Sequence, residues 1–434
     1  IYTGLYSSAA SDVYKRQPRR GLSYPRRATD VREICLRLWY FHLLFVTGRH
    51  NSKAMESGTL RKFLLDRGMV YLFALFIAGY FLLPMAAGHR RLYYILVFPA
   101  VLLLWRELLA TYRDNTLSFL LLAYTAYMMS TLAWSDDFTA SSAFWAIWYS
   151  LALLSFCFVS GYLVTRQWSQ LDRLSRYSVW LATATALVSI VAWYMSHPFP
   201  ESRLAPLGVM HQPAQAACAY GVFLLLGVHY LNAREGHDGR LIRLIPCIVL
   251  LALILFTQSR TPLAAACLGL LVLVGYRALG VIAVAVAAGW ALIWANSDLW
   301  HARVETLSFR PGIWQQVMAH MEGHWWFGHG YLSNPEVPAY DSVFNHAHSG
   351  YLASLRDGGL AGLALLLAML GMALLWSWRL YREEGNRLYL ALLLYAVACI
   401  APDYDRLLVH PNETWLFFWL PVALVMAAYP ASRS

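Results

Sequence analysis

The chain has 434 residues, of which 59% are hydrophobic and only 13% charged, with a mean hydropathy of +0.46. Soluble domains carry about 25% charged residues, so a water-soluble globular enzyme is excluded. The net charge of +10 does not mark a nucleic-acid partner either. Residues 1–67 hold thirteen Lys and Arg against five acids, so +8 of the excess precedes the first apolar run. That is a topology signal rather than a footprint for phosphate backbones.

Repeated apolar runs near the roughly 20 residues needed to cross hydrocarbon predict an all-α polytopic membrane protein. The runs are too long and too uniformly apolar for barrel strands. Residues 1–68 read as a basic cytoplasmic tail. Met55 lies just ahead of the first span, and residues 1–54 are expected to be a misassigned start or a disordered tail. About twelve spans follow, at 69–86, 92–108, 117–134, 143–164, 177–195, 214–231, 242–258, 262–277 and 279–296, then 359–376, 387–402 and 413–429. Arg106 and Arg113, then Arg166, Arg173 and Arg176, then Arg234, Arg240 and Arg243, then Arg379, Arg382 and Arg387 fall in alternate loops. The positive-inside rule places those loops, and both termini, in the cytoplasm. One outer loop dissents: it carries His89-Arg90-Arg91. Five cysteines (Cys157, Cys218, Cys247, Cys267 and Cys399) sit in apolar runs and Cys35 in the tail, so neither disulfides nor a zinc site are expected.

The segment 297–358 is the single long outer loop, and long loops of this kind are usually functional. Two short helices are predicted in it, one from Pro311 to about Met321, the other from about Asn345 to Arg356, leading into the tenth span.

Three outer helices are predicted to begin with proline, at Pro213, Pro262 and Pro311, a residue favoured at a first helical position. Each lies near an arginine: Arg203, Arg260 and Arg310. A helix start offers free N–H groups and partial positive charge, and Arg adds a planar donor set that matches phosphate oxygens. Together they suit a diphosphate without a metal ion, although single arginines can equally pair with lipid head groups. His348 is the candidate general base. On a helix it would share a face with Leu352 and Leu355, presenting a neutral imidazole beside the bilayer to accept a proton from a sugar hydroxyl. His346 raises a metal reading, but a helical turn would point the two rings apart, and no metal is expected. Gly359 and Gly362 permit close backbone approach at the tenth span. Trp314 and Tyr351 belong to an aromatic set able to stack on sugars or to line the membrane interface. Asp403 and Asp405 are possible partners for an arginine or an acceptor.

His348-Ser349, nine residues, then Gly359-Leu360-Ala361-Gly362 resembles the signature of the O-antigen ligase family, within the wider group of O-antigen ligases, O-antigen polymerases and protein O-oligosaccharyltransferases. Ser259-Arg260-Thr261 and Arg310-x-x-x-Trp314 are similar to further family elements. In the 203–217 stretch, His211-Gln212-Pro213 replaces the usual Asn-Pro-Asn. The resemblance covers roughly residues 69–430. It implies a metal- and cofactor-independent, inverting glycosyltransferase of the bacterial inner membrane. Its partners would be membrane lipids, a donor of O-antigen on undecaprenyl diphosphate, and a lipid A-core sugar as acceptor at the periplasmic face. By position, His348 would be the base, with Arg310, Arg260 and Arg203 on the diphosphate and His346, Ser349, Gly359, Gly362, Trp314 and Tyr351 in support. A protein O-oligosaccharyltransferase or a polymerase would use the same donor and differ in acceptor. A transporter is a remote alternative, since transporters place ionisable groups near the midplane and these spans hold almost none.

Overall fold

A computed structural model describes residues 61–110, 112, 114–199, 201–232, 240–277, 280, 283–284, 287, 291, 310–333, 337–339, 342–344 and 346–431. The basic tail, most of the ninth predicted span and the first part of the long loop lie outside the described residues. The architecture is all-α. Six helices are long and apolar enough to cross a membrane: α1 (Arg61–Leu82), α3 (Thr116–Trp134), α4 (Ala140–Arg166), α5 (Trp168–Tyr194), α6 (Pro213–Asn232) and α10 (Gly350–Glu384). Between α1 and α3 runs α2 (86–110), interrupted at Leu104. Shorter apolar helices are α7 (Arg240–Phe256), α8 (Arg260–Val274), α11 (Leu388–Ile400) and α12 (Trp415–Pro430). The loop contributes α9 (Arg310–His320) and one antiparallel hairpin, β1 (Val337–Ala339) with β2 (Ser342–Phe344).

Helix starts follow from local capping chemistry. The Asn115 side chain accepts from the Ser118 N–H at 2.9 Å, and Thr139 does the same for Ser142 at 3.1 Å, satisfying first-turn donors that hydrocarbon cannot. Several helices outrun the predicted spans. α1 begins eight residues early and α5 nine, because a polar first stretch can stay helical beyond the apolar window. In α5 this stretch is supported by the Arg176–Asp172 pair at 3.0 Å.

The core is a contiguous apolar cluster with aromatic rings at its centre. Phe76, Tyr93, Phe156 and Trp415 meet with centroids 4.9 to 6.0 Å apart. Polar groups inside the bundle find partners, as they must in lipid. Tyr93 donates to the Ala152 carbonyl at 3.1 Å, Asn115 to Met426 at 2.7 Å and Tyr395 to Cys218 at 2.8 Å.

Two pairings position the site. α8 lies antiparallel against α11. Gly269 sits against the Ala391 carbonyl and Arg387 donates to the Leu273 carbonyl at 3.5 Å, so Arg260 and Ile400 finish at the same end of the bundle. α10 packs against α3, where a Cβ on Gly362 would sit 3.1 Å from the Met128 sulfur.

The tenth span differs from expectation. The loop helix and the span are one element with a single break at Gly359 (φ 64, ψ −164). The segment 325–328 runs through that break. The Leu360 N–H donates to the Trp325 carbonyl at 2.7 Å, and Ala361 to Trp326 at 3.3 Å. These are the donors that lose helical partners when a helix is interrupted. A Cβ on Gly359 would fall 2.3 Å from the Trp326 carbonyl carbon, so only glycine fits.

Candidate active site

His348 is not on a helix. α10 starts at Gly350 with Ser349 as its cap, the Leu352 N–H donating to Ser349 Oγ at 3.5 Å. His348 precedes the cap in a left-handed conformation (φ 46). The face shared with Leu352 and Leu355 is therefore not formed. A Ser ahead of an apolar periodic run is a start signal, and it moves the helix boundary beyond the histidine. His348 is thus displayed by a turn. Left-handed backbone is sparsely populated by non-glycine residues, though histidine is among those enriched there.

The turn is held from three sides. Ala347, fully buried, packs with Ile313, Val317 and Ala353, flanked by Trp314 and Leu352. That contact docks α9 beside the turn and uses Trp314 as a packing residue. The Ala347 N–H donates to Asp405 Oδ1 at 3.2 Å. Tyr351 anchors the first turn of α10 to α11 through the Val397 carbonyl at 3.2 Å. His346 stacks edge-on with His348, centroids 4.2 Å apart, so the two rings meet rather than diverge. The pKa of His346 is lowered, first by desolvation and then by the His348 imidazole.

Arg310, at the start of α9, reaches the same place. Its Nη2 lies 3.0 Å from Asp403 Oδ1, and the same oxygen is 4.0 Å from His348 Nδ1. One carboxylate therefore joins the candidate base to a candidate phosphate ligand. Asp403 and Asp405 both carry arginines, as the sequence allowed, but different ones.

Arg203 and Arg260 are brought together by a second turn. Arg203 Nε donates to the Thr257 carbonyl at 3.0 Å and its Nη2 to Ser259 Oγ at 2.8 Å. Ser259 is the cap residue of α8, whose first helical residue is the exposed Arg260. Between them Gln258 is left-handed at φ 51. Among the described residues, Gln258 and His348 are the non-glycine residues at positive φ, and both adjoin candidate site groups. Strain of this kind clusters at functional sites. The prolines fall less regularly than predicted: Pro213 opens α6, but Pro311 is second in α9 and Pro262 third in α8. All three remain in the first turn, where no N–H is needed.

Behind the turn lies a charge network that local sequence reasoning did not identify. Arg356 and Asp357, each 1% exposed, pair at 2.7 Å, and Arg356 Nη1 lies 3.1 Å from Asp405 Oδ1. Arg406 Nε donates to Asp357 Oδ2 at 2.9 Å and its Nη2 to the Ser333 carbonyl at 2.8 Å. The Asp405 pKa ends below the ordinary value: burial raises it, but Arg356 and Arg406 outweigh burial. The signal available in the sequence was Arg356-Asp357 entering an apolar helix, where charges must be paired. His324 and His329 stack nearby, 4.1 Å apart, with His329 Nε2 2.8 Å from the His320 carbonyl.

Arg310, His348 and Asp403 thus converge directly, while Arg203 and Arg260 share a turn at the same end of the bundle. Ser349, Gly359 and Gly362 shape the backbone. Among the described residues no three His, Cys, Asp or Glu side chains gather as a metal site would require. A sequence model of a family described as O-antigen ligase matches residues 245–367, which span Arg260, Arg310 and His348. A curated O-antigen ligase from Pseudomonas aeruginosa is 30% identical over 374 residues, 82% of this chain and 89% of that protein. This polytopic membrane protein belongs to the O-antigen ligase family.

Proposed function

We propose that the protein moves O-antigen polysaccharide from undecaprenyl diphosphate to a sugar hydroxyl of a lipid A core, at the periplasmic face of the inner membrane. The observation that carries this reading is the convergence of Arg310, Asp403 and His348 at one turn. The acceptor hydroxyl attacks the anomeric carbon of the lipid-linked sugar, and the bond from that carbon to the diphosphate oxygen breaks with inversion. His348 Nε2 takes the hydroxyl proton. Asp403 faces Nδ1, which favours the tautomer with its proton on Nδ1 and the lone pair on Nε2. The 4.0 Å separation is loose, as such contacts often are before substrate binds.

The leaving undecaprenyl diphosphate gains negative charge. Arg310 and Arg260, with Arg203 bracing the Arg260 turn and contributing its own charge, stabilise it as fixed donors aimed at a developing anion. Asp403 holds Arg310 at the site until the diphosphate competes for it.

The test is transfer by purified protein from a defined lipid-linked donor, with core lipid and a pilin-type protein compared as acceptors. Product on core lipid alone supports the ligase. Product on the protein alone makes the chain a protein O-oligosaccharyltransferase, and extension of the donor chain makes it a polymerase.

A further inference from the structure

The outer loop that runs against the positive-inside rule, His89-Arg90-Arg91, has no role in the chemistry above. His89 is buried and stacks on Phe76 at 4.6 Å, its Nε2 3.0 Å from the Phe76 carbonyl. It locks the start of α2 against α1. The next residue, Arg90, reaches the loop before α12, its Nη1 3.3 Å from His410 Nε2. A guanidinium only donates, so His410 accepts through Nε2 and carries its proton on Nδ1, 3.4 Å from the Pro411 carbonyl. Burial first, and Arg90 second, lower the His410 pKa, which keeps the ring neutral. Arg310, Arg356 and Arg406 each meet a carboxylate. Arg90 meets a neutral imidazole, and among the described residues no carboxylate lies within ion-pairing distance of it. Arg90 is half-buried, with exposed Arg91 beside it.

Against this pair stands an aromatic shelf from the first turns of α4. Tyr149 packs edge-on against His410 at 5.5 Å and lies near parallel to Trp145, 5.7 Å away at 29°. Phe144 stacks on Trp148 at 14°. Phe144 and Trp145 are exposed. Interfacial aromatic and arginine residues commonly meet lipid head groups; here the shelf packs onto the imidazole that contacts Arg90. Aromatic faces beside a guanidinium suit a sugar bearing a phosphate or carboxylate.

The shelf is separate from the turn that holds His348, yet the same loop reaches both. Asp403 and His410 are seven residues apart, so their Cα atoms are separated by at most about 25 Å. That is within the reach of a short oligosaccharide.

We infer that Arg90, His410 and the Tyr149–Trp145 shelf form the docking site for the anionic head group of the acceptor glycolipid, orienting its sugar chain toward His348. The inference rests on the proposed ligase activity. It adds a second anion site, used by the acceptor and not by the donor diphosphate.

The experiment measures binding of core lipid to the purified protein without donor, and then KM for each substrate, in wild type, Arg90→Gln, Arg90→Lys and His410→Gln. Arg90→Gln should weaken core-lipid binding and raise the acceptor KM about tenfold, as loss of one charge-assisted contact predicts, with donor KM unchanged. Arg90→Lys should recover part of the affinity. Core lipid stripped of its phosphates should bind wild type as weakly as intact core lipid binds Arg90→Gln. Binding of phosphatidylglycerol vesicles should not change between wild type and Arg90→Gln. Unaltered core-lipid affinity in Arg90→Gln overturns the inference. So does a parallel loss of donor binding, which makes Arg90 a packing residue, or an equal loss of vesicle binding, which makes it a general lipid anchor. Wild-type protein that binds core lipid but transfers nothing to it refutes the ligase reading instead.

Discussion

At His348 the backbone conformation matters as much as the imidazole. A left-handed residue just before a helix cap turns its side chain away from the helix it precedes, toward Asp403 and Arg310. The sequence nominated His348, Arg310, Arg260 and Arg203 as candidates by residue type and position in the outer loops. It could not show that Asp403 joins two of them, because that contact spans some 55 to 93 residues of chain. Asp403→Asn should lower kcat at least tenfold, as expected for a charge-assisted contact of about 1.5–3 kcal/mol, because neither His348 nor Arg310 is then oriented. An unchanged kcat in steady-state transfer assays would remove Asp403 from the mechanism. Arg310→Lys should restore little of what Arg310→Ala loses if the diphosphate is held by two parallel donors. Gln258→Gly should relieve the left-handed strain before Arg260 and stabilise the protein by about 1 kcal/mol, read as a rise in detergent melting temperature.

Among elements, the bent helix α10 does the most to build the site. Its break at Gly359 admits 325–328, and that segment in turn brings His329 and Gly330 to the Arg356 and Asp357 carbonyls at 2.8 and 2.9 Å. A glycine before an apolar run was visible in the sequence, but its positive φ was not, since the apolar pattern continues across it. Gly359→Ala must displace backbone rather than a flexible side chain, so folded protein should fall steeply in size-exclusion profiles. The pairing in the Arg356–Asp357–Asp405–Arg406 network was hidden for the reason that hid Asp403: one half comes from α10 and the other from the distant loop between α11 and α12. Asp405→Asn leaves Arg356 paired with Asp357 but removes one charge-assisted contact, so it should cost about 1.5–3 kcal/mol. The pH dependence follows from the depressed Asp405 pKa. Its stabilisation is complete above the unfolded value near 3.9 and fades as pH falls through the lower folded value. The difference in melting temperature between wild type and Asp405→Asn should therefore hold above about pH 5 and shrink below about 4. A difference that already vanishes at about pH 6 would show that the Asp405 carboxylate is not what the network stabilises.

Across the whole molecule, composition and apolar runs were enough for the all-α membrane architecture, because lipid leaves a spanning backbone few alternatives. Span ends were less legible, since hydropathy reports burial in hydrocarbon while helices continue into polar residues, as α1 and α5 do. Arg260, Arg310 and His348 sit at or just before the starts of α8, α9 and α10, and Arg203 reaches the α8 start from the loop between α5 and α6. In this account the guanidinium groups meet the leaving charge, so transfer should persist in EDTA. The most direct test compares donor binding and single-turnover transfer to core lipid by wild type and His348→Ala. Wild type should form product, while His348→Ala should bind the donor with unchanged affinity and transfer at least 100-fold more slowly. Transfer by His348→Ala at the wild-type rate would contradict the assignment of His348 as the base.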